Sequence, residues 1–183
     1  MKILKNIVAL VTLVLVVASC GNGTPSLQEY YVNNADNPNF ISLDIPASIL
    51  GVASNSLNEK QQEAFNSVKK LNVLAFRVNE ENKTDYESEK TTVQSILKDT
   101  KYEELMVINS GKHKGVVKYL GDDDTVDEVI LFGSDDEMGF ALIRVLGNKM
   151  KPENMMSLVE AVQKGAVDSG ALESQLKGIF NPS

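Results

Sequence analysis

Residues 103–146, EELMVINSGKHKGVVKYLGDDDTVDEVILFGSDDEMGFALIRVL, decide the fold. Four apolar runs, ELMVIN, GVVKYL, VDEVILF and FALIRVL, are separated by SGKHK, GDDDT and GSDDEMG. Each separator carries glycine and short polar residues suited to tight turns, and the runs are rich in β-formers, so the stretch reads as an antiparallel meander. Successive turns of a meander lie at opposite ends of its sheet. The strand from Val126 to Phe132 spans about 20 Å at roughly 3.3 Å per residue, which keeps the acidic turn Asp122–Asp124 apart from Asp135–Glu137. Turns two strands apart share an end. The basic turn Lys112–Lys114 is therefore expected beside Asp135–Glu137, as complementary exposed charge worth at most about 1 kcal/mol.

Beyond the meander, Pro152 suits the first turn of a helix, Met155, Leu158, Val159 and Val162 share a face, and Gly165 can stop it. Met155 and Met156 are expected in the core. Before the meander, LNVLAFRV (71–78) reads as a strand. Thr84 and Glu87 have capping-box spacing, and Tyr86, Val93, Ile96 and Leu97 supply the buried face of a helix to about Asp99. Ser56 and Glu59 repeat that spacing ahead of a helix to about Lys70, with Ala64, Phe65, Val68 and Leu71 on one stripe. FISLDIP (40–46) alternates as a strand with Ile41, Leu43 and Ile45 on one side, and ASILGVAS after it reads as a short helix interrupted by Gly51. The order predicts one α+β domain in two layers, a mostly antiparallel sheet with its helices on one face.

The chain starts differently. Lys2 and Lys5 precede an eleven-residue apolar run, Ile7 to Val17, which gives way to Ala18, Ser19 and the only cysteine, Cys20. A positive start, a short apolar run and a small-residue exit make a secretory signal, too short for the roughly 20 apolar residues that span a bilayer. Val17-Ala18-Ser19-Cys20 resembles the lipobox of bacterial lipoproteins, which implies cleavage before Cys20 and acylation of its thiol. The competing readings are an ordinary signal peptide cut nearby that leaves Cys20 as a free thiol, and a cysteine that merely follows an uncleaved anchor. An unpaired cysteine is awkward in an exported protein, because oxidising compartments favour even numbers. Several acyl chains would hold stably where one binds marginally. GNGTPS (21–26) then reads as a flexible leash. The expected organisation is a signal peptide at 1–19, a tether at 20–33, the domain at 34–165 and a loosely ordered tail at 166–183.

The formal charge is −7, and it becomes −9 once Lys2 and Lys5 leave with the signal. Such a chain is repelled by nucleic acid and anionic lipid surfaces, so nucleic-acid binding is excluded. The expected partners are the membrane, through the N-terminal lipid, and an envelope protein.

The reactive residues are few. His113 is the only histidine. A Ser-His-Asp site would have to use it, with Ser110 as the nearby hydroxyl. The competing reading is a solvated turn residue between Lys112 and Lys114 without an oriented partner. Zinc needs Cys and His ligands that the chain lacks, and neither acidic turn has EF-hand spacing. There is no tryptophan for an aromatic platform. P-loop, GxGxxG and HExxH motifs are missing from the sequence. No catalytic, cofactor or metal residues are expected, and the one assigned position is lipidation at Cys20.

FISLDIPASILG, LNVLAFRV, YEELMVINSGKHKGVVKYL and DEVILFGSDDEMGFALIRVLGNKMKPENMMSLV, together with the lipobox, resemble the Bacteroidota lipoprotein domain catalogued as domain of unknown function 4252. The resemblance runs from about Tyr30 to Gln163. It implies an exported, lipid-anchored α+β domain and brings no catalytic residues. Some surface lipoproteins of that phylum have charge just after the lipidated cysteine. GNGTPS has none, which favours an anchor facing the periplasm, in the cell membrane or the outer membrane. The expected function is a non-catalytic interaction or ligand-binding module; the alternative is an envelope hydrolase using a carboxylate or Ser-His site.

Overall fold

The computed structural model describes residues 24–49, 57–110, 113–122 and 124–163. The elements are α1 (Leu27–Asn34), β1 (Phe40–Pro46), a 3-10 turn (Ala47–Ile49), α2 (Glu59–Ser67), β2 (Val68–Arg77), α3 (Lys83–Ile96), β3 (Glu103–Ser110), β4 (His113–Gly121), β5 (Val126–Asp135), β6 (Gly139–Met150) and α4 (Pro152–Gln163). Six strands form one sheet in the order β1-β2-β6-β5-β4-β3, and every neighbouring pair is antiparallel. The α+β class and the meander of β3 to β6 are as expected. β2 lies beside β6, joining the first hairpin to the end of the meander.

The placement of the helices corrects the expectation of a single covered face. On one side α1 and α3 bury Tyr30, Tyr31, Tyr86 and Val93 against Phe40, Phe76, Phe132 and Phe140. On the other, α2 and α4 bury Ala64, Met155, Leu158 and Val159 against Ile45, Val73, Val129 and Val145. The reason lies in the central strands. Leu71 and Val73 belong to the second cluster and Leu74 and Phe76 to the first, so β2 is apolar at both alternating sets of positions. A strand buried on both faces needs a layer on each.

Several boundaries also move. The tether expected over 20–33 gives way to α1 at Leu27, where Ser26 and Glu29 form a capping box and Leu27, Tyr30 and Tyr31 are buried. Burying two tyrosines outweighs the leash-like composition before them, and the Tyr31 hydroxyl donates to the Leu142 carbonyl at 2.7 Å. α2 is capped by Asn58, which exchanges bonds of 3.0 Å with Gln61. Ser56 lies outside the described residues, as do Cys20, Gly51, Gly165 and residues 166–183. α2 stops at Ser67, and Val68 and Leu71 join β2 because pairing with β6 and β1 satisfies their backbone. α3 begins at Lys83, not at a Thr84 cap, because the Asn82 side chain instead ties the loop, accepting from Asn79 N at 2.7 Å and donating to the Arg77 carbonyl at 3.0 Å. α3 ends at Ile96, short of Asp99. Met155 is buried, but Met156 is exposed, one helical position off the packed stripe.

A buried ion pair fastens α1 to the sheet. Arg144 Nε donates to Glu128 Oε2 at 3.0 Å, Nη1 donates to Gln28 Oε1 at 2.6 Å, and the guanidinium lies 5.3 Å from the centre of the Tyr31 ring. Among the described residues no helix is long and apolar enough to cross a membrane.

Candidate functional site: an apolar trough on the sheet

On the side covered by α2 and α4, one row of residues runs straight across the sheet. Register pairs Ile108 with Gly115, Gly115 with Gly133, Gly133 with Ala141, Ala141 with Ala75, and Ala75 with Ile41. Gly115, Gly133 and Ala141 leave a trough bracketed by longer side chains, while Ala75 beyond them is fully buried. The next row inward is Val117, Leu131, Ile143 and Val73. The resulting open depression has a volume of about 420 Å³, with Ile108, Leu131, Met138 and Ile143 in its lining. Met138 is 49% exposed, an unusual state for so apolar a side chain beside a trough.

The row at the strand ends carries the polar groups. His113 Nδ1 lies 3.1 Å from Asp135 Oδ2, and both residues line the depression. Asp135 is buried, and its Oδ1 accepts from the backbone N–H groups of Glu137 at 2.8 Å and Met138 at 2.9 Å. The carboxylate therefore holds the 135–139 turn and the imidazole at once. Gly139 completes that turn with φ 121°, and a Cβ there would fall 1.9 Å from the Phe76 carbonyl oxygen. The His113 side chain is 61% exposed, as the solvated reading expects, but the expectation that it lacks a partner is corrected: a carboxylate from the neighbouring strand lies beside it. Ser110 stands opposite His113 in the β3–β4 register.

Lys114 and the acidic turn share an end as expected, since Lys114 pairs with Ser134; Lys112 lies outside the described residues. Asp136 binds Lys90 of α3 at 2.9 Å, and that hydrogen bond holds the Asp136 carboxyl below the usual carboxylate range. Asp122 sits at the far end of β5, where its Oδ1 accepts from Asp124 N at 3.0 Å and Thr125 N at 2.6 Å. The Thr125 backbone bond keeps its carboxyl ionised, so this acid builds a turn. Among the described residues no three His, Cys, Asp or Glu side chains gather as a metal site.

Arg77 closes the opposite end of the polar row. It pairs with Gly139, two residues beyond Ala75, so strand alternation sets it on the trough side. Among the described residues its guanidinium has no ion-pair partner, and the residue is exposed. A second hollow of about 460 Å³, lined by Arg77, Ile41, Asn39, Asn79 and Asn82, adjoins it. Sequence reading missed both Arg77 and the trough. The signal was present as glycine and alanine at interior strand positions, which pairing alone aligns.

No curated protein and no solved structure matches the chain. The family described as Domain of unknown function (DUF4252) matches residues 30–158, from α1 to Leu158 of α4, and the resemblance read from the strands is borne out. With most of its length, and both edges of the trough, inside that match, the chain belongs to the DUF4252 family.

Proposed function

We propose that the chain is a lipoprotein anchored through Cys20 and that its domain is a non-catalytic module taking an apolar ligand in the trough, on the periplasmic side of the cell membrane or outer membrane. The observation that carries the reading is the open depression of about 420 Å³ with a nearly all-apolar lining and one oriented polar pair at its rim. That volume lies within the roughly 300–1,000 Å³ of small-molecule sites, which are mostly apolar with few polar groups. α1 begins at Leu27, so six residues separate it from an acylated Cys20. Those residues extend at most about 20 Å, which would hold the domain close to the bilayer.

The test has two parts. Cys20→Ser is expected to move the protein from the membrane fraction to the soluble one, and mass spectrometry of the parent to show an acylated N-terminal cysteine. The purified Cys20→Ser chain is expected to bind N-phenyl-1-naphthylamine with enhanced fluorescence. An unchanged fractionation sinks the anchor, and a silent dye sinks the ligand site.

His113 and Asp135 favour a second reading, an ester hydrolase in which the carboxylate orients the imidazole as a general base, with Ser110 opposite it in register. Its test is turnover of p-nitrophenyl acyl esters, expected to fall at least about 100-fold in His113→Ala if the imidazole is the base. Turnover that is absent, or unchanged by the substitution, removes the hydrolase.

A further inference from the structure

Resting on the ligand-binding reading and deepening it, we propose that the trough takes the unbranched acyl chain of a free long-chain carboxylate, with its head group held by Arg77.

The shape selects the chain. From Gly115 to Ala141 the small row that lines the depression crosses two strand spacings, about 10 Å at 4.8 Å each. Val117, Leu131 and Ile143 wall it on one side and the His113–Asp135–Gly139 row on the other. The floor is made of glycine and alanine, so a ligand can approach the backbone closely. Nothing but hydrocarbon matches such a floor, since its backbone groups are already paired in the ladders.

Gly133 shows that the room is not demanded by the backbone. A Cβ built there would meet nothing nearer than the Lys114 carbonyl oxygen at 3.9 Å, an ordinary contact. Glycine inside a strand weakens it and marks places where a ligand or another backbone comes close. No described backbone fills that position. The space above Gly133 is kept open at a cost to the strand.

Charge selects the head group and its end of the trough. At the β4 end, His113 is engaged by Asp135, and Lys114, which also lines the depression, lies near the Asp136 carboxylate, so two carboxylates already stand there to repel a third. Just beyond the β6 end, opposite Gly139 of the lining, Arg77 carries an exposed guanidinium with no ion-pair partner among the described residues, in a chain of net charge −7. Its planar fork matches a carboxylate bidentately. An anionic amphiphile is therefore seated with its tail across β6, β5 and β4 and its head at Arg77.

The experiment uses the full chain carrying Cys20→Ser, with hexadecanoate and hexadecanol as probes below their aggregation limits. Hexadecanoate is expected to bind and to displace N-phenyl-1-naphthylamine. Gly133→Leu, whose new side chain fills the trough, is expected to weaken both probes at least about 30-fold; Ala141→Leu is the second filling variant, each checked for an unchanged unfolding transition. Arg77→Ala is expected to weaken hexadecanoate about 10-fold and leave hexadecanol unchanged, and Arg77→Lys to recover part of the loss. If Arg77→Ala leaves hexadecanoate unaffected, the carboxylate assignment is overturned while the apolar-ligand reading stands. If neither probe binds, or filling the trough changes nothing, both are overturned.

Discussion

Phe140→Ala is expected to destabilise the domain by about 3–5 kcal/mol, read as a lower urea midpoint at constant slope. Phe140 opens β6 at the centre of the aromatic cluster and is 1% exposed. Its ring lies 5.6 Å from Phe76, 5.7 Å from Phe132, 6.0 Å from Phe40 and 6.1 Å from Tyr86. Those partners come from β1, β2, β5 and α3. Truncation removes the transfer free energy of the ring and leaves a cavity that rigid neighbours cannot collapse. Each lost aromatic pair adds about 0.5–1.5 kcal/mol beyond the area. Val107→Ala on the edge strand β3, where the side chain is 54% exposed, is the matched control and is expected to stay within about 0.5 kcal/mol. A loss below about 1 kcal/mol at Phe140 would mean that the cluster is not the core of that face.

Arg144→Ala is expected to cost about 3–5 kcal/mol, for a different reason. The Glu128 side chain is 6% exposed and the Arg144 side chain 11%, so neither charge is well solvated. Removing the guanidinium leaves a buried carboxylate with no counter-charge, and takes from α1 both the bond to Gln28 and the cation over Tyr31. The damage should therefore reach α1, seen as faster amide exchange over Leu27–Asn34 than over β6. The double variant Arg144→Met with Glu128→Leu is expected to recover most of the loss, since replacing both partners by apolar groups of similar shape is often neutral. A double variant no better than Arg144→Ala would show that the pair specifies the docking of α1 instead of merely tolerating burial.

Much of this architecture was legible in particular residues. The meander followed from GDDDT and GSDDEMG, whose carboxylates do fold back on their own turns. The shared end of the basic and acidic turns followed from counting strands. The two-sided sheet was also written in LNVLAF and VILF, which are near-continuous instead of alternating, the pattern of strands buried on both faces. α1 announced itself as Ser26-x-x-Glu29 with two tyrosines, obscured by the glycines just before it. The trough was not legible. Gly115, Gly133 and Ala141 lie on three strands, and each alone is an unremarkable small residue.

Local patterning settled which segments became strands, turns and helices, because those choices rest on short-range sterics, backbone hydrogen bonding and the period of apolar residues. Inter-strand register and the stacking of layers settled what chemistry meets: the insertion of β2 beside β6 aligned Ala75 with Ala141 and brought Arg77 to the row that also holds His113 and Asp135. Register is a property of pairs of distant segments, set by the total burial it achieves. No single strand encodes it, and so the trough and its charged rim exist only once the sheet is assembled.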